Sequence, residues 1–327
     1  MAYLSHLRHI SRPLLLGVAV VFFSFTVLRK TPSEQVKGYY DTHLRQLHES
    51  LLHFREASYQ ANAATLQSNF TACRAEYKRL EFAVEYYYPN AAQRLNGAAL
   101  PEAEPSEPEQ VTPPTGFQVL EEYVYGTTDD RTTRDQIHQE LENMLYQVRY
   151  LQAQAPALSF SEAEIFDAVR LNLYRLATKG ISGFDSPVAF ASLPEAAFTL
   201  EGTGEVLTYF EPPASLQQQL KRSIAAVRTS GSTITAFNSF DRATFLVRYF
   251  NPLLAALHQA QRQQRIPFVQ TRRAIRPTAI SYFDADAFDP TFFAPADAAP
   301  ATPAVLALGK ALFQEPALSA RGGRTCA

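Results

Sequence analysis

Tryptophan is missing from this 327-residue sequence, and cysteine and methionine occur only twice each. The two cysteines, Cys73 and Cys326, are too few for a disulfide framework, so a packed core has to stabilise the fold. A surplus of either charge is missing as well, because 30 lysines and arginines stand against 32 aspartates and glutamates. This balance creates no strong field, and we expect no nucleic-acid partner.

A strict alternation of apolar and polar residues, which would indicate strands, is also missing over any useful length. Apolar residues recur instead at steps of three and four, the spacing that places them on one face of a helix. With 46% hydrophobic residues, the chain has enough apolar material for a sizeable core. The sequence therefore predicts an all-α protein built as a helical bundle.

One long apolar run is present, over residues 14–27, and basic residues flank it on both sides. Its length is below the roughly 20 residues of a comfortable membrane-spanning helix, which is typical of a signal peptide. No small-x-small cleavage site follows the run, however, and flanking basic side chains lengthen a span by reaching the interface. We interpret residues 1–30 as a signal anchor or a signal peptide, and favour an anchor formed by residues 13–28.

The first helix is predicted to begin at Thr31-Pro32-Ser33-Glu34, where a capping hydroxyl, a proline and a carboxylate form a helix-start signal. The apolar face of this helix is formed by Val36, Tyr40, Leu44, Leu47, Leu51 and Phe54. A second face follows with Leu66, Phe70, Cys73, Tyr77, Leu80, Val84 and Tyr87. A short connection near residues 60–64 predicts that the two helices pack antiparallel as a hairpin.

The rest of the predicted bundle, residues 31–265, contains a Pro/Glu-rich loop over residues 97–115 and several more helices. Ser161 with Glu164, and Ser215 with Gln218, predict two further capping boxes. Apolar periodicity also predicts helices around residues 137–151 and 245–257. Residues 266–303 have no helical period and are predicted to be an extended linker. A short helix is predicted over residues 302–313.

The C-terminal residues LALGKALFQEPALSARGGRTCA resemble the opening of the first haem domain in the bacterial di-haem cytochrome c peroxidase family. The matching positions are Leu308, Gly309, Lys310, Leu312, Phe313, Glu315, Pro316, Leu318, Ser319 and Thr325-Cys326-Ala327. Ala320 and Arg321 depart from the more usual Gly-Asn pair. The resemblance implies that residues 304–327 begin a cytochrome c-like domain and that Cys326 is the first thioether cysteine of a Cys-x-x-Cys-His segment for haem c.

A second resemblance lies upstream and indicates an imelysin-like helical domain. The residues that carry it are Tyr77–Phe82, Tyr86–Pro89, Leu95–Pro101 and Gly116–Glu121. The Gly-x-His-x-x-Glu motif of that family is matched by Gly116 and Glu121, whereas Gln118 replaces the histidine. An amide is a poor transition-metal ligand compared with imidazole, so we expect no metal site and no peptidase activity there.

The resemblances imply the N-terminal part of a periplasmic peroxidase that reduces hydrogen peroxide with electrons from a small donor protein such as a cytochrome c. The parent family carries two haem c groups, but this fragment has no catalytic residue of that reaction and is expected to be inactive and free of haem. The alternative is a membrane-tethered, imelysin-like binding or scaffolding module in which Cys326 is incidental. A metallopeptidase is a third hypothesis, weakened by Gln118.

Overall fold

The computed structural model describes residues 30–104, 107–228, 231–295, 297–298, 301–319 and 323–325. The apolar run over residues 14–27 and Cys326 lie outside these ranges. The structure is 66% helix and 3% strand, which confirms the all-α class. Within the described ranges, no helix is both long enough and apolar enough to cross a membrane.

The α-helices are numbered in chain order. The first eight are α1 (Pro32–Ala57), α2 (Ala63–Tyr87), α3 (Pro89–Asn96), α4 (Phe117–Tyr125), α5 (Arg131–Gln154), α6 (Glu162–Arg175), α7 (Ser192–Thr208) and α8 (Ala214–Arg228). They are followed by α9 (Ile234–Ser239), α10 (Arg242–Phe245), α11 (Asn251–Gln263) and α12 (Pro303–Phe313). Short 3₁₀ turns occur at Ala155–Ala157 and Pro316–Leu318.

Helices α1 and α2 form the predicted hairpin. The side chain of Thr31 accepts from the Glu34 amide, and the Glu34 carboxylate accepts from the Thr31 amide, so the predicted capping box is confirmed. Between the two helices, His43 Nδ1 lies 2.8 Å from Glu76 Oε2, and the Tyr39 hydroxyl donates to the Arg79 carbonyl at 3.3 Å. As residue numbers rise in one helix they fall in the other, so the pair is antiparallel.

Helix α2 lies at the centre of the bundle and packs against α1, α6 and α7. Its approach to α7 is close at Gly202, where a Cβ atom would lie 3.0 Å from the Cα atom of Arg79 and 2.8 Å from the Tyr39 hydroxyl. Such a contact admits no larger residue without a shift of backbone. Because neighbours surround α2, even polar residues in its second half are buried, and each needs a partner inside the protein.

The Pro/Glu-rich loop contains regular structure that the sequence pattern does not indicate. Two short antiparallel strands, β1 (Glu102–Glu104) and β2 (Glu107–Thr112), pair there with a register irregularity between Ala103 and Glu104. The loop predicted over residues 97–115 therefore contains two paired strands. The strand residues whose exposure is described are all exposed, so no buried face produces an alternation of apolar and polar residues.

Two helix predictions also need correction in detail. The capping box at Ser161 is confirmed, but α8 already begins at Ala214, so Ser215 lies inside its first turn and not at its cap. The helix predicted over residues 245–257 is interrupted by a π-helical segment, Leu246–Phe250. Pro252 explains this change, because its ring would collide with the carbonyl four residues earlier in a regular α-helix. A second π-helical segment, Leu176–Gly180, follows α6.

Two compact units can be separated by their internal contacts. The helical unit extends to Gln270 and includes Ile280–Tyr282, and the second unit comprises Thr271–Ala279 and the chain from Phe283 onwards. Part of the predicted linker is folded in the second unit, because Ile275 and Phe288 form an antiparallel bridge. The predicted helix near the C-terminus is confirmed as α12, with the Thr302 hydroxyl capping the Val305 amide at 3.3 Å.

Candidate functional site

The motif residues Gly116, Gln118 and Glu121 lie at the start of α4, and all three are buried. Gly116 has φ 102° and ψ −163°, a backbone conformation essentially restricted to glycine. A Cβ atom on it would lie 2.5 Å from the Leu95 carbonyl oxygen. Its amide donates to Glu140 Oε1 at 2.5 Å. The glycine of the motif is therefore required by the backbone.

Gln118 and Glu121, one helical turn apart, occupy neighbouring positions on the same face of α4. The Gln118 side-chain amide donates to the Asn96 carbonyl at 3.4 Å. Oε1 of Glu121 accepts from the Ser186 hydroxyl and from the Ala189 amide, the latter at 3.0 Å. Glu121 thereby ties α4 to the segment 183–191 that leads into α7.

Arg74, at the centre of α2, is the principal cation of this region and is only 1% exposed. Its guanidinium makes a bidentate contact with the Glu195 carboxylate, with Nε 2.8 Å from Oε1 and Nη2 bonded to Oε2. It also donates to the Asn96 side chain and, at 3.1 Å, to the Asp185 carbonyl. The aromatic ring of Phe117 lies 5.1 Å from the guanidinium carbon. One side chain of α2 therefore links α3, α7 and the segment before α7.

Lys78, one turn further along α2, provides the second buried cation. Its ammonium group lies 2.7 Å from Glu81 Oε1 and 2.6 Å from Asp185 Oδ2, and all three side chains are almost completely buried. Arg74 and Lys78 thus both bind Asp185, one through its carbonyl and the other through its carboxylate. We call these two cations and the four carboxylates Glu81, Glu121, Asp185 and Glu195 the buried charge cluster.

The pKa values within the cluster follow from burial and pairing. Burial alone would lower the pKa of Lys78, but the facing carboxylates of Asp185 and Glu81 raise it above its usual value. Burial would likewise raise the pKa of Asp185, but Lys78 and Arg74 hold it below its usual value. For Glu121 burial dominates, and the pKa of this carboxyl is raised despite its hydrogen bonds from Ser186 and Ala189. Glu121 therefore holds a proton more readily than Asp185 does.

The donor atoms around Gln118 and Glu121 do not fit a transition-metal site. One carboxylate oxygen is already bonded to two donors, the amide of Gln118 is engaged by Asn96, and the fixed charge of Arg74 acts on Glu121. In the ranges that the structure describes, no group of three or more His, Cys, Asp or Glu residues is arranged to hold a metal ion. Hard oxygen donors beside a guanidinium disfavour late transition metals.

We predict that Gln118→His does not create tight zinc binding, because the neighbouring cation Arg74 and the engaged oxygen of Glu121 would remain. Calorimetric titration with zinc should give an affinity weaker than about micromolar for both the unmutated protein and the variant. The matched control is Gln139→His on the exposed face of α5. A stoichiometric submicromolar site in the unmutated protein, or one created by Gln118→His and not by the control, would contradict this assignment.

Cys73 is fully buried on α2, as predicted, and burial raises the pKa of its thiol, which makes it unreactive. Cys326 lies outside the described residues. The nearby motif residue Glu315 caps the 3₁₀ turn Pro316–Leu318 by accepting from the Ala317 amide at 3.1 Å. The Glu-Pro-x-Leu portion of the tail thus forms a defined turn.

No protein-family model matches this chain, and a search of curated proteins found no match. The imelysin-like and peroxidase-like assignments therefore depend on the motif residues alone.

Sequence reasoning missed the buried charge cluster beyond Glu121. A signal was present, because Arg74, Lys78 and Glu81 recur at steps of four and three directly beside the apolar stripe of α2. That spacing puts them on one face, as it does for the apolar residues. The partner Glu195 carried no comparable signal, since it lies on α7, a helix whose two glycines, Gly202 and Gly204, obscure its pattern.

Proposed function

We propose that this chain is the N-terminal part of a di-haem cytochrome c peroxidase that reduces hydrogen peroxide to water with electrons from a small donor protein such as a cytochrome c. The observation that carries the proposal is the nine matching residues from Leu308 to Ser319, followed by Thr325-Cys326-Ala327. The same proposal places the helical unit in the periplasm, tethered to the inner membrane by residues 13–28.

The exposure of α12 supports the proposal. Five of its large apolar side chains are between 42% and 61% exposed, namely Val305, Leu306, Leu308, Leu312 and Phe313. A helix with this composition gains stability only when further protein surface covers it. A haem domain that begins with α12 would supply that surface, because its first helix would pack against the rest of the domain.

The residues present do not complete a haem site. Covalent attachment uses two cysteines and an adjacent histidine that ligates the iron, and this sequence supplies only Cys326. The histidine and second thiol are not among its residues, so no step of peroxide reduction can be assigned to this chain. The proposal therefore concerns the protein to which the chain belongs.

We predict that the 327-residue chain, exported in a host that matures c-type cytochromes, carries no covalent haem, because attachment needs the second thiol and the histidine. Haem staining of a denaturing gel checks this result. The product of the native gene read beyond Ala327 should stain, and Cys326→Ser should weaken attachment to its first haem, whereas Cys73→Ala should leave attachment unchanged. A stained band from the 327-residue chain, or a native product without haem, would refute the proposal.

The alternative function is a membrane-tethered helical module of imelysin type that binds iron or a partner protein. The observation that favours it is the core of the helical unit, whose buried cations Arg74 and Lys78 are paired with carboxylates of the same unit. The codon that follows Ala327 in the native gene distinguishes the two functions. A stop codon supports the module, and a continuation that completes Cys-x-x-Cys-His supports the peroxidase.

A further inference from the structure

Glu121 has one carboxylate oxygen that is satisfied and one that is not. Its side chain is 1% exposed. Oε1 accepts from the Ser186 hydroxyl and the Ala189 amide, but Oε2 is buried and has no hydrogen-bond partner among the described residues. An unpaired charged oxygen in a dry interior is far more costly than an unpaired hydroxyl. The geometry therefore disfavours a negative charge on this group.

The charges around Glu121 also disfavour a negative charge on its carboxyl group. The buried charge cluster contains two cations and four carboxyl groups, an excess of two negative charges if all are ionised. Lys179 also lowers the pKa of Asp185 and so acts as a third cation. Three cations still leave one of the four carboxyl groups without a counter-charge. The two cations make their direct contacts with Glu81, Asp185 and Glu195, and Glu121 receives no hydrogen bond from either. Glu121 is the carboxyl group left over.

Charged and polar groups of three neighbouring helices surround Glu121 and the start of α4. Helix α2 contributes Arg74, which stabilises a charge on Glu121, and α7 contributes Glu195, which opposes it. Helix α5 contributes Glu140, whose carboxylate accepts from the Gly116 amide and the Thr115 hydroxyl. Within α4 itself, the hydroxyl of Tyr125 interacts electrostatically with Glu121. No cation in this set bonds directly to Oε2.

We propose that Glu121 is a buried proton-binding site, with the proton on Oε2 in the folded state, and that the neutral carboxyl group holds the segment 183–191 through Oε1. This inference concerns the helical unit and is independent of the peroxidase proposal. Burial raises the pKa of Glu121 above its ordinary value of 4.5, in agreement with the geometry. The proton at Oε2 replaces the counter-ion that the cluster lacks.

The segment 183–191 is suited to respond to this proton. Two of its residues have left-handed backbones, Gly183 with φ 89° and Phe190 with φ 55°, and the second is strained because it is not glycine. The segment also exposes Phe184 by 50% and Val188 by 37%. Ionisation of Glu121 would leave a negative charge without a partner at Oε2 and close to Glu195, and local opening of the segment that admits water to Oε2 would relieve this cost.

The test compares the unfolding of wild type, Glu121→Gln and the control Glu122→Gln as a function of pH. A group whose pKa is raised by folding stabilises the fold below its unfolded pKa and loses that contribution as pH rises through its folded pKa. Glutamine at position 121 stays neutral at every pH and keeps this stabilising contribution. The folded-to-unfolded ratio of Glu121→Gln relative to wild type should therefore rise about tenfold for each pH unit between the two pKa values.

The exposed neighbour Glu122 should give no such trend. In difference infrared spectra near neutral pH, the carbonyl band of a protonated carboxyl group should be present in wild type and lost in Glu121→Gln. The Ala189 amide should exchange faster at high pH in wild type than in the variant. A stability difference between wild type and Glu121→Gln that is flat from about pH 5 to 9 would overturn the proposal and indicate a bound water at Oε2. The absence of the carbonyl band, together with stability that depends on sodium or potassium, would overturn it in favour of a bound cation.

Discussion

Arg74→Met should destabilise the helical unit by about 3–5 kcal/mol, because removal of one partner from a buried ion pair leaves the other charge unpaired. Glu195 would lose both contacts of its carboxylate, and the Asn96 side chain and the Asp185 carbonyl would each lose a donor. Methionine fits the site, because it is unbranched, favours helix and fills irregular space. Urea unfolding should show a midpoint lowered by about 1 M or more, given slopes of about 1–3 kcal/mol/M.

Two further variants make this result specific. Arg149→Met removes an arginine of α5 that is 51% exposed and 4.0 Å from Glu142, and such pairs contribute about 0–1 kcal/mol. Arg74→Met combined with Glu195→Leu removes both buried charges and should recover much of the lost stability. If Arg74→Met is no more harmful than Arg149→Met, water reaches the cluster and the assignment of buried, paired charges is wrong.

Gly116→Ala should be the second most damaging change of those considered. The backbone at Gly116 lies in a region essentially closed to other residues, at a cost of about 1–3 kcal/mol. The new Cβ atom would also lie 2.5 Å and 2.6 Å from the carbonyl oxygen and carbon of Leu95, and overpacking of this kind costs a further 1–3 kcal/mol or so. Because both neighbours are backbone atoms, no side-chain rotation can relieve the contact. Thermal and urea unfolding measure the loss.

Gly38→Ala is the matched control. Gly38 lies in α1, is exposed, and has no atom within 4 Å of an added Cβ. Alanine there should stabilise the protein by up to about 1 kcal/mol, because glycine is the poorer helix former. Equal effects of the two substitutions would show that the backbone at Gly116 relaxes freely and does not fix the start of α4.

The features that the sequence predicted correctly are local ones. The caps at Thr31 and Ser161 are confirmed, and so are the α1–α2 hairpin and the short helix predicted over residues 302–313. Each depends on residues within one or two helical turns, or on a repeated spacing over several turns. The peroxidase-like tail and the haem-attachment role of Cys326 stay predictions, since they depend on motif residues.

The features that were missed have both local and distant causes. The π-helical segment Leu246–Phe250 follows from the proline after it, and the strands of the Pro/Glu-rich loop show no alternating pattern because their described residues are exposed. Helix α7 was not predicted because Gly202 weakens its helix signal. Gly202 is required because the backbone of α2 at Arg79 lies beside it, and this contact joins residues that are far apart in the sequence. At Ser215 the sequence contains a capping pattern that the structure does not use, because α8 begins at Ala214, one residue before Ser215.

The sequence by itself determined the helical class, the helix starts and the apolar faces, because capping and periodicity act over a few residues along one chain segment. The tertiary structure decided where the polar residues of α2 go. Arg74 and Asp185 are 111 residues apart, and Arg74 and Glu195 are 121 apart, yet they are in contact. Only the packing of α4 and α7 around α2 removes water from these groups, and that desolvation decides which carboxylates are paired and which one, Glu121, holds a proton.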